Sequence, residues 1–169
     1  MLACYELEFG TLNVYEHCVV GKMKYGALID SSVLEYYEAV IDTHFKDKEF
    51  GYISLRENSY SINPHVYRQL HRWPNLKGIA VVDTNLRTQG IFPMEQGFYD
   101  GEMRLFEEYA TAVEWIADLT KQTSIAKSKN QGYLCKEQVP CKKAPTCLLR
   151  RELNPQAFGA PENQNPISA

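Results

Sequence analysis

A chain of 169 residues that is 44% hydrophobic and 12% aromatic can build one domain with a real core but hardly two. Residues 1–120 carry 10 Lys and Arg against 18 Asp and Glu, a net of −8; residues 121–169 carry 8 against 3, a net of +5, which together make the −3 of the whole chain. The acidic body argues against a nucleic-acid surface, and no stretch approaches the ~18 consecutive apolar residues of a membrane span.

Taken in chain order, Tyr5, Leu7 and Phe9 alternate with Glu6 and Glu8 and predict a half-exposed strand; His17 to Tyr25 predicts a second, paired with the first as a hairpin. Asp30-Ser31-Ser32 offers caps for a helix whose apolar residues Val33, Tyr37, Val40, Ile41 and Phe45 recur at helical spacing. Phe50 to Leu55 reads as a strand, Pro64 to Trp73 as a helix ended by Pro74, and Leu76 to Asp83 as a strand apolar enough to be central. Strand, helix and strand in succession make a βαβ unit, in which the strands are parallel neighbours with a right-handed crossover. A weaker helical pattern spans Asn85 to Gln96, Met103 to Phe106 fits a short edge strand, and Tyr109, Ala112, Val113, Ile116 and Leu119 form the apolar face of a closing helix. The expected fold is therefore α/β, a mixed, mainly parallel sheet of about five strands with helices packed on it, in the order ββαβαβαβα.

Domain organisation follows from composition. Residues 1–120 are expected to fold, whereas residues 121–169 hold five of the eight prolines and form a basic, Pro-, Asn- and Gln-rich tail. Such a segment cannot bury enough apolar surface to offset an ordering cost of roughly 1–2 kcal/mol per residue, and is expected to be disordered. Met1-Leu2-Ala3-Cys4 has no hydrophobic region ahead of its cysteine, so the expected location is cytoplasmic, with Cys4 and Cys18 as reduced thiols.

The order of elements, the Asp-capped first helix, the polar loop before the second helix and the closing Ala112-Val113-Glu114-Trp115-Ile116 resemble STAS domains. More narrowly, residues 5–119 are similar to small bacterial proteins of STAS-like or anti-sigma-factor-antagonist-like type. The resemblance implies no cofactor and a non-enzymatic role in regulatory protein contacts or, in some relatives, the binding of small ligands. It also implies a functional region at the start of the second helix, where the family carries an Asp-Ser-Ser/Thr-Gly motif with a phosphorylated hydroxyl. Here that position falls at Asn63 or Pro64, which offer none, and Ser59 and Ser61 are the neighbouring candidates for phosphorylation.

Read from the residues alone, Asn63 followed by Pro64 is a helix start. Arg56, Asn58, Ser59, Ser61 and the free helix amides could also cradle an anion or other ligand beyond the carboxyl ends of parallel strands. Two functions are open at this place. In the first, loop 57–65 and the start of the second helix form the surface for a regulatory protein partner, with Tyr60, Tyr67 and Arg68 as anchors. In the second, an apolar or anionic small molecule occupies a pocket between sheet and helices, lined by Tyr52, Tyr60, Tyr67 and Phe92. A homodimer through the first strand is a further option.

Catalytic and metal sites are not expected. His65 and His71 are six residues apart and cannot share a helix face, and His17 and His44 are isolated. No G-x-S-x-G, phosphate-binding Gly loop or H-E-x-x-H occurs. Cys135, Cys141 and Cys147 recur every six residues, unlike the C-x2–4-C pairs of zinc sites.

Overall fold

The computed structural model describes residues 1–124, with side chains through residue 121. In chain order the elements are β1 (Ala3–Glu6), β2 (Gly10–Val14), β3 (Cys18–Met23), β4 (Leu28–Ile29), α1 (Leu34–Phe45), β5 (Phe50–Leu55), β6 (Ser61–Ile62), α2 (His65–Gln69), β7 (Leu76–Val82), α3 (Phe92–Gln96), β8 (Glu102–Phe106) and α4 (Tyr109–Ser124). Single 3-10 turns precede α1 and follow α2.

Six strands form one mixed sheet in the order β1-β2-β3-β5-β7-β8; β4 and β6 pair separately, in parallel. The first three strands are antiparallel and the last four run parallel to one another. The α/β class and the mixed sheet with helices on it are thus what the sequence predicts. The main sheet has six strands rather than about five because Gly10–Val14 is a strand of its own, pairing with β1 on one side and β3 on the other. The two segments read as a hairpin are therefore not neighbours. Along it Leu12 and Val14 alternate with Thr11 and Asn13 and are fully buried.

Because β3, β5, β7 and β8 follow one another across the sheet, right-handed crossovers put α1, α2 and α3 on one face. That face holds the larger core: Leu34, Tyr37, Val40, Ile41 and Phe45 of α1 and Val66 and Tyr67 of α2 pack on Val19, Phe50, Ile79 and Val81. The opposite face is covered by α4, whose Ala112 and Ile116 meet Cys18, Val20, Ile53, Ala80 and Val82. Close approach there depends on Gly51 and Gly78, where an added Cβ would run into Ile116 and into Leu119 and Trp115 respectively.

Cys4 is buried in β1. Among the described residues no helix is long and apolar enough to cross a membrane. The expectations for the basic tail, including Cys135, Cys141 and Cys147, lie outside the described residues.

Candidate functional site

Alternation along β5 sends Phe50, Tyr52, Ser54 and then Arg56, just past the strand end, toward the α1/α2 face. The first two are ordinary for a core; Ser54 and Arg56 are not, since both are buried. The Ser54 hydroxyl is 2.9 Å from that of Tyr60, and the Tyr52 hydroxyl is 3.0 Å from that of Tyr37. Tyr52 can lie against β3 because its neighbour there is Gly21, where any Cβ would collide with the Tyr52 ring and hydroxyl.

The Arg56 guanidinium is the electrostatic centre. Its Nη2 donates to Glu95 Oε2 at 2.7 Å and, at 3.4 Å, to the Tyr67 hydroxyl, which itself donates to the same Glu95 oxygen at 2.8 Å. The ring of Tyr60 lies under the guanidinium, 4.8 Å from centroid to carbon. Burial opposes the charge on Arg56, but Tyr60, Tyr67 and Glu95 outweigh it and hold its pKa above the ordinary value. Burial pushes the pKa values of Tyr37, Tyr52, Tyr60 and Tyr67 upward, so all four keep their protons at neutral pH.

Two spaces meet at this cluster. Outside, a cleft of about 370 Å³ lies beyond the carboxyl ends of β5 and β7, between the loop after β5 and residues 83–98. Inside, an apolar cavity of about 70 Å³ lies between the sheet and α1 and α2. Arg56, Tyr60, Ile62 and Tyr67 line both.

The far side of the cleft is a strap running from the end of β7 through α3. Asp83, buried at its start, accepts from the Thr88 amide at 2.7 Å, the Thr88 hydroxyl at 2.9 Å and the Asn85 amide at 3.1 Å. Desolvation raises its pKa, but these hydrogen bonds and nearby Arg87 prevail and leave it below the usual carboxylate range. Within this turn Leu86 has φ +54°, a left-handed conformation that disfavours side chains with a Cβ and persists only where its surroundings enforce it. Arg87 then reaches across the cleft to the carbonyls of Arg56 and Glu57, at 3.1 and 3.0 Å. Glu95 ties down the other end of the strap through Arg56.

Of the residues singled out in the sequence, the structure gathers Arg56, Asn58, Ser59, Tyr60, Ser61 and Tyr67 around the cleft. Ser59 and Ser61 are exposed, and Asn58 is spent on the Met23 carbonyl at 2.8 Å. Tyr67 is buried and Tyr60 half-buried, with their hydroxyls turned inward. Asn63 and Arg68 stand apart: Asn63 Oδ1 caps the His65 amide at 3.1 Å, and Arg68 is exposed over the Phe98 ring at 5.6 Å. The helix that Asn63 caps has only five residues, too few to build a substantial N-terminal dipole.

Glu95, Arg87, Asp83 and Ser54 were not among the candidates. Ser54 and Arg56 do leave a trace, because polar residues on the buried side of an apolar strand are a marker of function or strain. Glu95 leaves none; it sits in a weakly periodic segment and meets Arg56 across 39 positions. Among the described residues no cluster of three or more His, Cys, Asp or Glu is placed to hold a metal.

Comparison with protein-family models, with curated proteins and with solved structures returned no match.

Proposed function

We propose that the chain is a regulatory small-molecule-binding module of STAS-like type, whose ligand sits in the cleft beneath the strap and extends an apolar end toward the inner cavity. The observation that carries this reading is the junction itself: an open cleft and an inner apolar cavity that share Arg56, Tyr60, Ile62 and Tyr67 in their linings. A few convergent polar groups on a mainly apolar concavity are the usual form of a ligand site. An enzymatic role finds less support. Arg56, Glu95 and Tyr67 are engaged with one another, and the tyrosines are shifted away from the neutral range that a general base needs.

A protein partner at loop 57–65 and the start of α2 is the second reading. It is favoured by exposed Ile91 and Met94 on the lip of the cleft, next to exposed Glu57, Ser59, Ser61 and Arg68. The inward turn of Tyr60 and Tyr67 removes two of its three anchors from the surface.

The test is equilibrium dialysis of the full chain against a small-molecule extract, with retained compounds read by mass spectrometry, beside Ser59→Trp. Ser59 is exposed and lines the cleft, so the indole is expected to fill the mouth, leave the melting temperature unchanged and remove the retained compound. Equal retention by the variant, or none by the wild type, would overturn the cleft as a ligand site.

A further inference from the structure

We infer that the ligand of this cleft is an uncharged, mainly apolar molecule carrying hydrogen-bond acceptors, of the ketone, ester or amide class. The inference rests on the reading of the cleft as a ligand site and adds the chemistry of what enters it.

Two buried donors set the first condition. Among the described residues, Arg56 Nε and Trp73 Nε1 are fully buried and meet no hydrogen-bond partner, although Arg56 is only 6% and Trp73 only 7% exposed. Both residues line the inner cavity, and Arg56 also borders the cleft. A guanidinium Nε–H and an indole N–H can only donate, so each calls for an acceptor. No hydroxyl of the surrounding tyrosines and serine is placed to accept from either. A buried donor left alone carries its full desolvation penalty, which a ligand acceptor would relieve.

Charge sets the second condition. The acidic and basic side chains lining the cleft are Arg56 and Arg87 against Asp83 and Glu95, two of each sign. Arg56 is already neutralised by Glu95 at 2.7 Å. A carboxylate seeking Arg56 would have to expel Glu95 into a cleft that also holds Asp83. An ammonium would have to enter beside two guanidinium groups. A neutral carbonyl can take the open Nε–H while the Arg56–Glu95 pair stays closed.

Size sets the third. The inner cavity, about 70 Å³, is roughly half the ~150 Å³ that encloses a benzene ring, so it takes only a short end of the ligand, such as a carbonyl with its methyl group. The body of the ligand then occupies the cleft of about 370 Å³.

Three probes of nearly one shape test this on the ¹⁵N-labelled full chain: 4-phenylbutan-2-one, 3-phenylpropanoate and butylbenzene. The readouts are the dissociation constant and the side-chain N–H resonances of Arg56 and of the two tryptophans, with Trp73→Phe identifying the indole signal. The ketone is expected to bind at least tenfold tighter than the carboxylate and to move the Arg56 Nε–H or the Trp73 indole resonance downfield, which butylbenzene does not. Tighter binding of the carboxylate, or ketone binding that leaves both resonances in place, would overturn the inferred chemistry while keeping the cleft as a ligand site. Failure of all three probes when dialysis retains a compound also rejects the inferred class; failure of both experiments rejects the site itself.

Discussion

The two faces of the sheet are covered with different materials. Under α4, aliphatic side chains meet Ala112 and Ile116, and two glycines let side chains of the helix come close to the strands. Under α1, α2 and the strap, four tyrosines, a serine and an ion pair enclose empty space and leave two donors unmatched. The first arrangement is what maximal burial of apolar surface produces. The second leaves burial incomplete, and a marginally stable domain can carry such a defect only where the rest of its core is well packed. The smaller core, under α4, is packed by aliphatic side chains, and the larger one carries the unfilled space and the polar cluster.

The largest way to break this contrast is Ile116→Ala. Ile116 is 1% exposed at the centre of the tightly packed face, and its truncation is expected to cost about 4 kcal/mol, lowering the melting temperature by about 15 °C. Ligand retention, measured below the lowered transition, is expected to persist, because the cleft lies across the sheet.

A sharper comparison adds one or two carbons to each face. Ala112→Val, at a position with no exposure, is expected to destabilise by about 2 kcal/mol in urea unfolding, since the space is already filled. Val66→Ile, which extends into the inner cavity, is expected to stabilise by about 0.5–1 kcal/mol and to weaken ligand binding. Equal signs for the two substitutions would mean that the faces are packed alike.

The smallest effect is in the pH dependence. The folded protein holds Tyr37, Tyr52, Tyr60 and Tyr67 above their ordinary value of 10.0, chiefly through burial of the neutral hydroxyl. Their contribution is complete below that pH and is lost as pH rises past it, so these four groups are expected to lower the urea midpoint on the alkaline side. The ring carbon NMR resonances of these four tyrosines are expected to report tyrosinate only together with unfolding; their ionisation at pH 10 in a chain still folded would place these hydroxyls in solvent.

Sequence periodicity captured the elements whose residues are uniform in character. β5, β7 and the closing helix are apolar runs or stripes, and they stand close to where the pattern predicts them. What escaped was governed by partners distant in sequence. Gly10–Val14 is a strand because β1 and β3 flank it, and Ser61-Ile62 pairs with Leu28-Ile29 although both segments read locally as loop. The Pro64–Trp73 helix reaches only Gln69 before tightening into a 3-10 turn, and the pattern from Asn85 to Gln96 becomes helix only at Phe92. At the candidate site, Arg56 and Tyr67 could be picked from the sequence, but the Glu95 that binds them, and the inward turn of Tyr60, follow from tertiary packing.

The position of α4 also orders events in time. Every strand it covers precedes it in the chain, so during synthesis the sheet face bearing Cys18, Val20, Ile53, Ala80 and Val82 exists before its cover does. Residues 107–124 take about 1–4 s to add at ordinary translation speeds, far longer than the microseconds of hydrophobic collapse. For that interval the nascent sheet presents a greasy plane ready for a chaperone or for a second nascent chain. Codon choice across this stretch therefore bears on the yield of native protein without changing a single contact in it.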